Sequence, residues 1–146
     1  MAKDLRILAW CGVVMIAALL IVGAVSHGIL RHIVQTSPLW IAVVFGMRQS
    51  ALTKWAALPG FVFWLLLMAA IWLYLLGWAH IISGTFSPTE IAMTIVVGLA
   101  AIVGIVRAVA IKSGVRASTA IVTTFVVAAL LLAAFRISLL PQIAHR

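Results

Sequence analysis

Apolar residues fall along the chain in four long runs separated by short polar breaks. One run, Phe61 to Ile82, is about 22 residues without a formal charge. At about 1.5 Å per residue it makes a helix of ~33 Å, enough to cross a ~30 Å hydrocarbon core. The whole pattern predicts an all-α integral membrane bundle of four transmembrane helices, about 5–25, 61–82, 89–111 and 118–140. An amphipathic interfacial segment, about 38–58, comes after the first span. Residues 1–146 form a single transmembrane domain on this reading, with no stretch left for a separate soluble unit.

The breaks set the expected ends. Lys3 and Arg6 precede the first span, and the small residues Ala24-Val25-Ser26 come after it. The apolar run of about 19 residues exceeds the 7–15 of a signal-peptide core, so a cleaved signal is the alternative to a span. Nothing breaks the helix before Thr36-Ser37-Pro38, so it is expected to continue to about Val34, with His27 and Arg31 on one face. Leu39 to Met47 is too short to cross, and Arg48 and Lys54 interrupt the stretch between Met47 and Pro59. One or two short helices in the interface are expected there, anchored by Trp40 and Trp55, with a re-entrant half-helix as the alternative. Leu58-Pro59-Gly60 is expected to end that segment and start the second span.

Phe61, Trp64, Met68 and Trp72 recur at three- and four-residue spacing. Such a stripe serves packing or lipid contact, or alternatively stacks a ring-containing ligand. Ser87-Pro88-Thr89-Glu90 reads as a capping box opening the third span. Ala100, Gly104 and Ala108 repeat every four residues, the spacing that lets membrane helices approach closely. Gly114 is the expected left-handed cap after Lys112. Ser118 or Thr119 opens the fourth span, Ala129 and Ala133 form a second small pair, and Pro141 stops the helix. The match of Ile21-Val22-Gly23 to Ile102-Val103-Gly104 is too short to make a repeat.

Composition agrees with a membrane protein: 66% hydrophobic, 8% charged, mean hydropathy +1.32. Soluble domains have roughly 45–50% apolar and ~25% charged residues. Ten Lys+Arg stand against two Asp+Glu, a net charge of +8. Because the basic residues flank apolar runs, they point to topology and lipid headgroups rather than to nucleic acid. The lone Cys11 can form no intramolecular disulfide and is expected to pack as a small apolar side chain. Four spans place both termini on one face with Lys3, Arg6, Arg136 and Arg146. Arg31, Arg48, Lys54, Arg107, Lys112 and Arg116 fall on the other. The more basic second face is expected in the cytoplasm.

Candidate chemistry is sparse. On this topology His80 and the pair His27 and His32 lie a bilayer apart, which rules out a haem joining them. No metal and no cofactor are expected. Asp4 and Glu90 are the only carboxylates, one near the chain start and one used by the cap, so no acid–base pair supports an enzyme. Arg107 borders Ala100 and Gly104, at the depth of Thr123 and Thr124, which could accept its hydrogen bonds. With Arg31, Arg48, Lys54, Lys112 and Arg116 it forms the candidate lipid- or anion-binding set. The expected role is a non-enzymatic, multi-pass protein of the bacterial inner membrane. It would serve as an accessory or assembly component, its partners the lipid bilayer and other membrane subunits or itself. The alternative is a small transporter or anionic-lipid-binding protein. A polar cavity between helices distinguishes the second from the dry, filled bundle of the first.

Overall fold

The computed structural model describes residues 2–82 and 84–144, the last by its backbone alone. Ser83, His145 and Arg146 of the sequence reading lie outside the described residues. The fold is helical: α1 (Ala2–Val25), α2 (Ile29–Thr36), α3 (Leu39–Met47), α4 (Thr53–Leu75), α5 (Pro88–Ala110), α6 (Ala117–Ser138) and a single turn, α7 (Pro141–Ala144). α1, α4, α5 and α6 are each long and apolar enough to cross a membrane. α2 and α3 are a pair bent by 52°, a broken span or a re-entrant loop.

α1 is the centre of the bundle. Leu5, Leu8, Met15, Ile16 and Leu19 are all buried on it, and α2, α3 and α5 pack around it. Cleavage of the first helix as a signal would remove the element on which these three rest.

The second long helix differs from expectation at both ends. It begins at Thr53 and ends at Leu75, instead of running from Phe61 to Ile82. Pro59 lies inside it rather than starting it. A proline in a helix interior deletes one hydrogen bond, here to the carbonyl of Trp55. Thr124 of α6 donates its hydroxyl to that carbonyl at 3.4 Å. A threonine from a neighbouring helix thus serves the backbone group that the proline frees. At the far end Gly77 takes a φ of +73°, and Trp78 N–H donates to Leu73 O at 2.9 Å. That is a left-handed helix stop, and the apolar residues beyond it are not helical.

α1 likewise does not continue to Val34. His27 adopts φ +57°, and Gly28 N–H donates to Gly23 O at 2.8 Å. This closes α1 and separates His27 from the helix that carries Arg31. Gln49, at φ +54°, ends α3 in the same way, with Ser50 N–H donating to Phe45 O at 2.9 Å. Gly114 is not the expected left-handed cap, since Gly77 and Gly84 are the described glycines at positive φ.

The course of α2 and α3 settles which helix ends lie together. Gly23 faces His32, Gly12 faces Val43, and Gly46 faces Ala9 and the Leu5 carbonyl. In each pair one number rises as the other falls, so the bent pair runs antiparallel to α1 along its length. Leu39, Ala42, Val43 and Gly46 of α3 are buried against α1 and α4. α4 and α6 run the opposite way to α5, whose Gly104 seats Phe61. The start of α1 therefore lies at the same end of the bundle as the ends of α3 and α5 and the starts of α4 and α6. The chain reaches its last helix, α7, at the other end. The expectation that both termini share a face is overturned, because it omitted the return of the chain through α2 and α3.

Candidate functional site

The new order of ends regroups the charges. Lys3, Arg6, Arg48, Lys54, Arg107, Lys112 and Arg116, seven of the ten basic residues, gather at one end with Asp4. Arg31, Arg136 and Glu90 lie at the other. Of the six candidate binding residues, five share the basic end and Arg31 stands apart.

At the basic end the partners are structural. Arg107 Nη1 lies 3.7 Å from Asp4 Oδ1, on half-exposed side chains. The partner of Arg107 is thus α1, not the threonines of α6. Thr123 donates instead to Thr119 O at 2.8 Å, and Thr124 to Trp55 O. Lys54 Nζ donates to Ile111 O at 2.9 Å and sits 5.1 Å from the Trp55 ring centroid. A cation on the last carbonyls of α5 complements that helix end. Trp55 Nε1 donates to Ser113 Oγ at 3.1 Å, so Trp55 ties α4 to the loop between α5 and α6. With its amide oriented toward the guanidinium, the Gln49 oxygen accepts from Arg6 Nε at 3.0 Å and Nη2 at 2.9 Å. Arg48, Lys112 and Arg116 are exposed there, and Trp40 stands on the outer surface of α3, half exposed.

The opposite end contains a cavity of about 350 Å³ between α1, α2, α4 and α5. Its polar lining includes Arg31, His32, Gln35, Glu90 and Thr94. Leu19, Trp64, Met68 and Val97 form its apolar side. The volume falls at the small end of the ~300–1,000 Å³ typical of ligand pockets. Of the sequence stripe, Phe61, Trp64 and Met68 are buried and Trp72 is half-buried; Trp64 and Met68 line the cavity.

Local structure fixes most of the polar groups. Ser87 opens α5 with its capping box: Ser87 N–H donates to Glu90 Oε2 at 2.7 Å, and Glu90 N–H to Ser87 Oγ at 3.3 Å. This holds the Glu90 carboxylate at the rim. Gln35 is buried and donates to Ser138 Oγ at 2.9 Å, joining α2 to α6. Thr94 donates to Ile91 O at 2.7 Å, and His32 Nδ1 lies 3.0 Å from Gly28 O. Two donors have no such partner among the described residues: Arg31 Nε and Trp64 Nε1 are both buried and unbonded. Buried polar groups are nearly always hydrogen-bonded, so two orphans in the wall of one cavity are unusual.

His27, His32 and His80 fall at the same end of the bundle, so the expected separation by depth does not hold. His80 stacks edge-on against Tyr74, at 6.0 Å between ring centroids. Among the described residues no three His, Cys, Asp or Glu side chains gather to hold a metal ion. Cys11 is buried in α1.

Gln35 and His32 line the cavity without being candidates from the sequence, and Trp64 is a candidate only as part of the aromatic stripe. The signal available was Arg31-His32 and Gln35 set among the apolar residues Ile29, Leu30, Ile33 and Val34. Comparison with protein-family models, with curated proteins and with solved structures found no match to this chain.

Proposed function

We propose that the protein is a non-enzymatic, multi-pass membrane protein that binds an amphiphile bearing an oxyanion, as a lipid-binding protein or small transporter does. The observation that carries this reading is the mainly apolar cavity with Arg31 in its wall. An ionisable residue inside a membrane bundle faces a partner or a water-filled space, and Arg31 has no bonded partner among the described residues. The role expected first from the sequence, an accessory or assembly subunit, drew on the small size of the chain, its scarcity of carboxylates and its small-residue faces. On α5 part of that face is used within the chain, Gly104 and Ala108 being buried with Gly104 seating Phe61, whereas Ala129 and Ala133 of α6 are exposed.

The basic end supports a bacterial inner-membrane protein oriented with that end in the cytoplasm. Seven basic residues there outnumber the two described at the other end. Their exposed members, Arg48, Lys112 and Arg116, also suit anionic headgroups of that leaflet.

The test is to purify the tagged full chain in mild detergent and to quantify both extractable amphiphiles and co-purifying proteins. About one amphiphile per chain is expected, lost in Arg31→Gln. A stoichiometric partner protein with no bound amphiphile would move the assignment to an accessory subunit.

A further inference from the structure

The cavity is graded along its depth. Arg31 is the third residue of α2 and Glu90 the third of α5, so both stand near the helix ends at this side of the bundle. Val97 lies seven residues further along α5 than Glu90, about 10 Å at the helical rise. On α4 Met68 is seven residues and Trp64 eleven from the helix end at Leu75, and Leu19 is six from the end of α1, so all three lie below the rim. A charged rim thus leads to an apolar floor.

The rim carries both signs of charge. Arg31 and Glu90 line one cavity, yet no ion pair within 4.0 Å joins them. Arg31 makes no hydrogen bond to a described residue, and its Nε is buried. Glu90 spends Oε2 on the Ser87 N–H, and no described group bonds Oε1. A purely anionic head would satisfy Arg31 but meet the Glu90 carboxylate. A purely cationic head would satisfy Glu90 and leave Arg31 unpaired. A head with an oxyanion and an ammonium a short distance apart satisfies both.

We infer that the cavity binds a zwitterionic aminophospholipid, its phosphate on Arg31, its ammonium on Glu90, and its apolar body directed toward Trp64. The floor excludes a fully hydrophilic ligand, because Leu19, Met68 and Val97 would face it without compensation. Trp64 Nε1 needs an acceptor below the head, and an ester oxygen of the lipid supplies one. The volume holds the head and the first part of the chains, so the rest extends between helices into the bilayer. This rests on the binding reading above and names its ligand class.

The full chain is equilibrated with mixed micelles of equimolar phosphatidylethanolamine and phosphatidylglycerol, and retained lipids are counted by native mass spectrometry. Wild type is expected to retain one phosphatidylethanolamine with about tenfold preference, equivalent to ~1.4 kcal/mol. Glu90→Gln keeps the capping box, since glutamine serves there too. It should abolish the preference while one lipid is still retained. Arg31→Gln should lose both lipids at least tenfold, and Arg31→Lys should restore part of the binding. Millimolar free phosphoethanolamine should not displace the lipid. Three outcomes overturn the inference: a phosphatidylglycerol preference in wild type, an unchanged preference in Glu90→Gln, or displacement by phosphoethanolamine alone. Arg31-dependent retention of phosphatidylglycerol would sink the zwitterion and leave the binding reading intact. Retention of no lipid by any variant would sink both.

Discussion

At the scale of single residues, the fold turns on backbone groups that the sequence leaves without their usual partners. His27 and Gln49 occupy left-handed conformations that glycine adopts without a Cβ clash. His27 lies between Ser26 and Gly28 and Gln49 between Arg48 and Ser50, so the break after Met47 is marked by polar residues, but neither side chain itself announces a left-handed backbone. Pro59 is the converse. It is conspicuous and reads as a helix start, yet it is the seventh residue of α4. What makes the interior position tolerable is Thr124, whose hydroxyl reaches the freed Trp55 carbonyl. At 3.4 Å the bond is long and belongs to the weak end of the range. Thr124→Val should therefore cost about 1 kcal/mol, the low end for an unsatisfied buried acceptor. In a Pro59→Ala background Trp55 O regains its own helical donor, and the same substitution should cost almost nothing. The comparison is a double-mutant cycle read by reversible unfolding in detergent. Equal costs in both backgrounds would show that Thr124 does not serve Trp55.

At the scale of elements, the fold depends on how closely α3 approaches α1. A Cβ on Gly46 would lie 2.8 Å from both the Leu5 carbonyl and Ala9 Cβ. A backbone oxygen cannot swing away as a side-chain tip can. Gly46→Val should destabilise by about 2–3 kcal/mol and displace α3 from α1, by the usual cost of overpacking. Gly98 supplies the contrast. It sits in α5 with no heavy atom within 4 Å of its would-be Cβ. Gly98→Ala should be neutral or stabilising by up to ~1 kcal/mol, through helix propensity alone. Thermal unfolding of both variants decides it; similar losses would deny the close approach. The elements also show what a sequence can announce. The capping box at Ser87 and the spans of α5 and α6 were legible because their signals are local: a cap, an apolar run, a polar stop. α2 and α3 were not legible as one passage. Each is too short to cross alone, and the charged string at Arg31 lowers the apolar signal where the cavity needs polarity. Trp64 was visible in a stripe, but only the packed bundle shows that this stripe ends at a cavity.

At the scale of the whole molecule, the bent pair determines the sidedness of everything after it. With α2 and α3 counted as one passage beside α1, the chain passes along the bundle five times, and the start of α1 and the end of α6 lie at opposite sides. The charge distribution then becomes one-sided, with seven basic residues at the end that holds Lys3 and Ser113. Had the pair turned back within the interface, those residues would be divided between the two faces, as the four-span reading divided them. The positive-inside tendency thus favours the passage independently of packing. Lys3 and Ser113 should accordingly share the cytoplasmic side, with Thr85 and Gln142 outside. Single cysteines at these four positions, in a Cys11→Ala background, can be probed with a membrane-impermeant thiol reagent in intact cells. Cysteines at 85 and 142 should label, and those at 3 and 113 should label only after the membrane is opened. Protection at 3 with labelling at 113 would mean that the pair does not cross. Labelling at both 3 and 113, with protection at 85 and 142, would keep the five passages and reverse the orientation, placing the Arg31 cavity on the cytoplasmic leaflet.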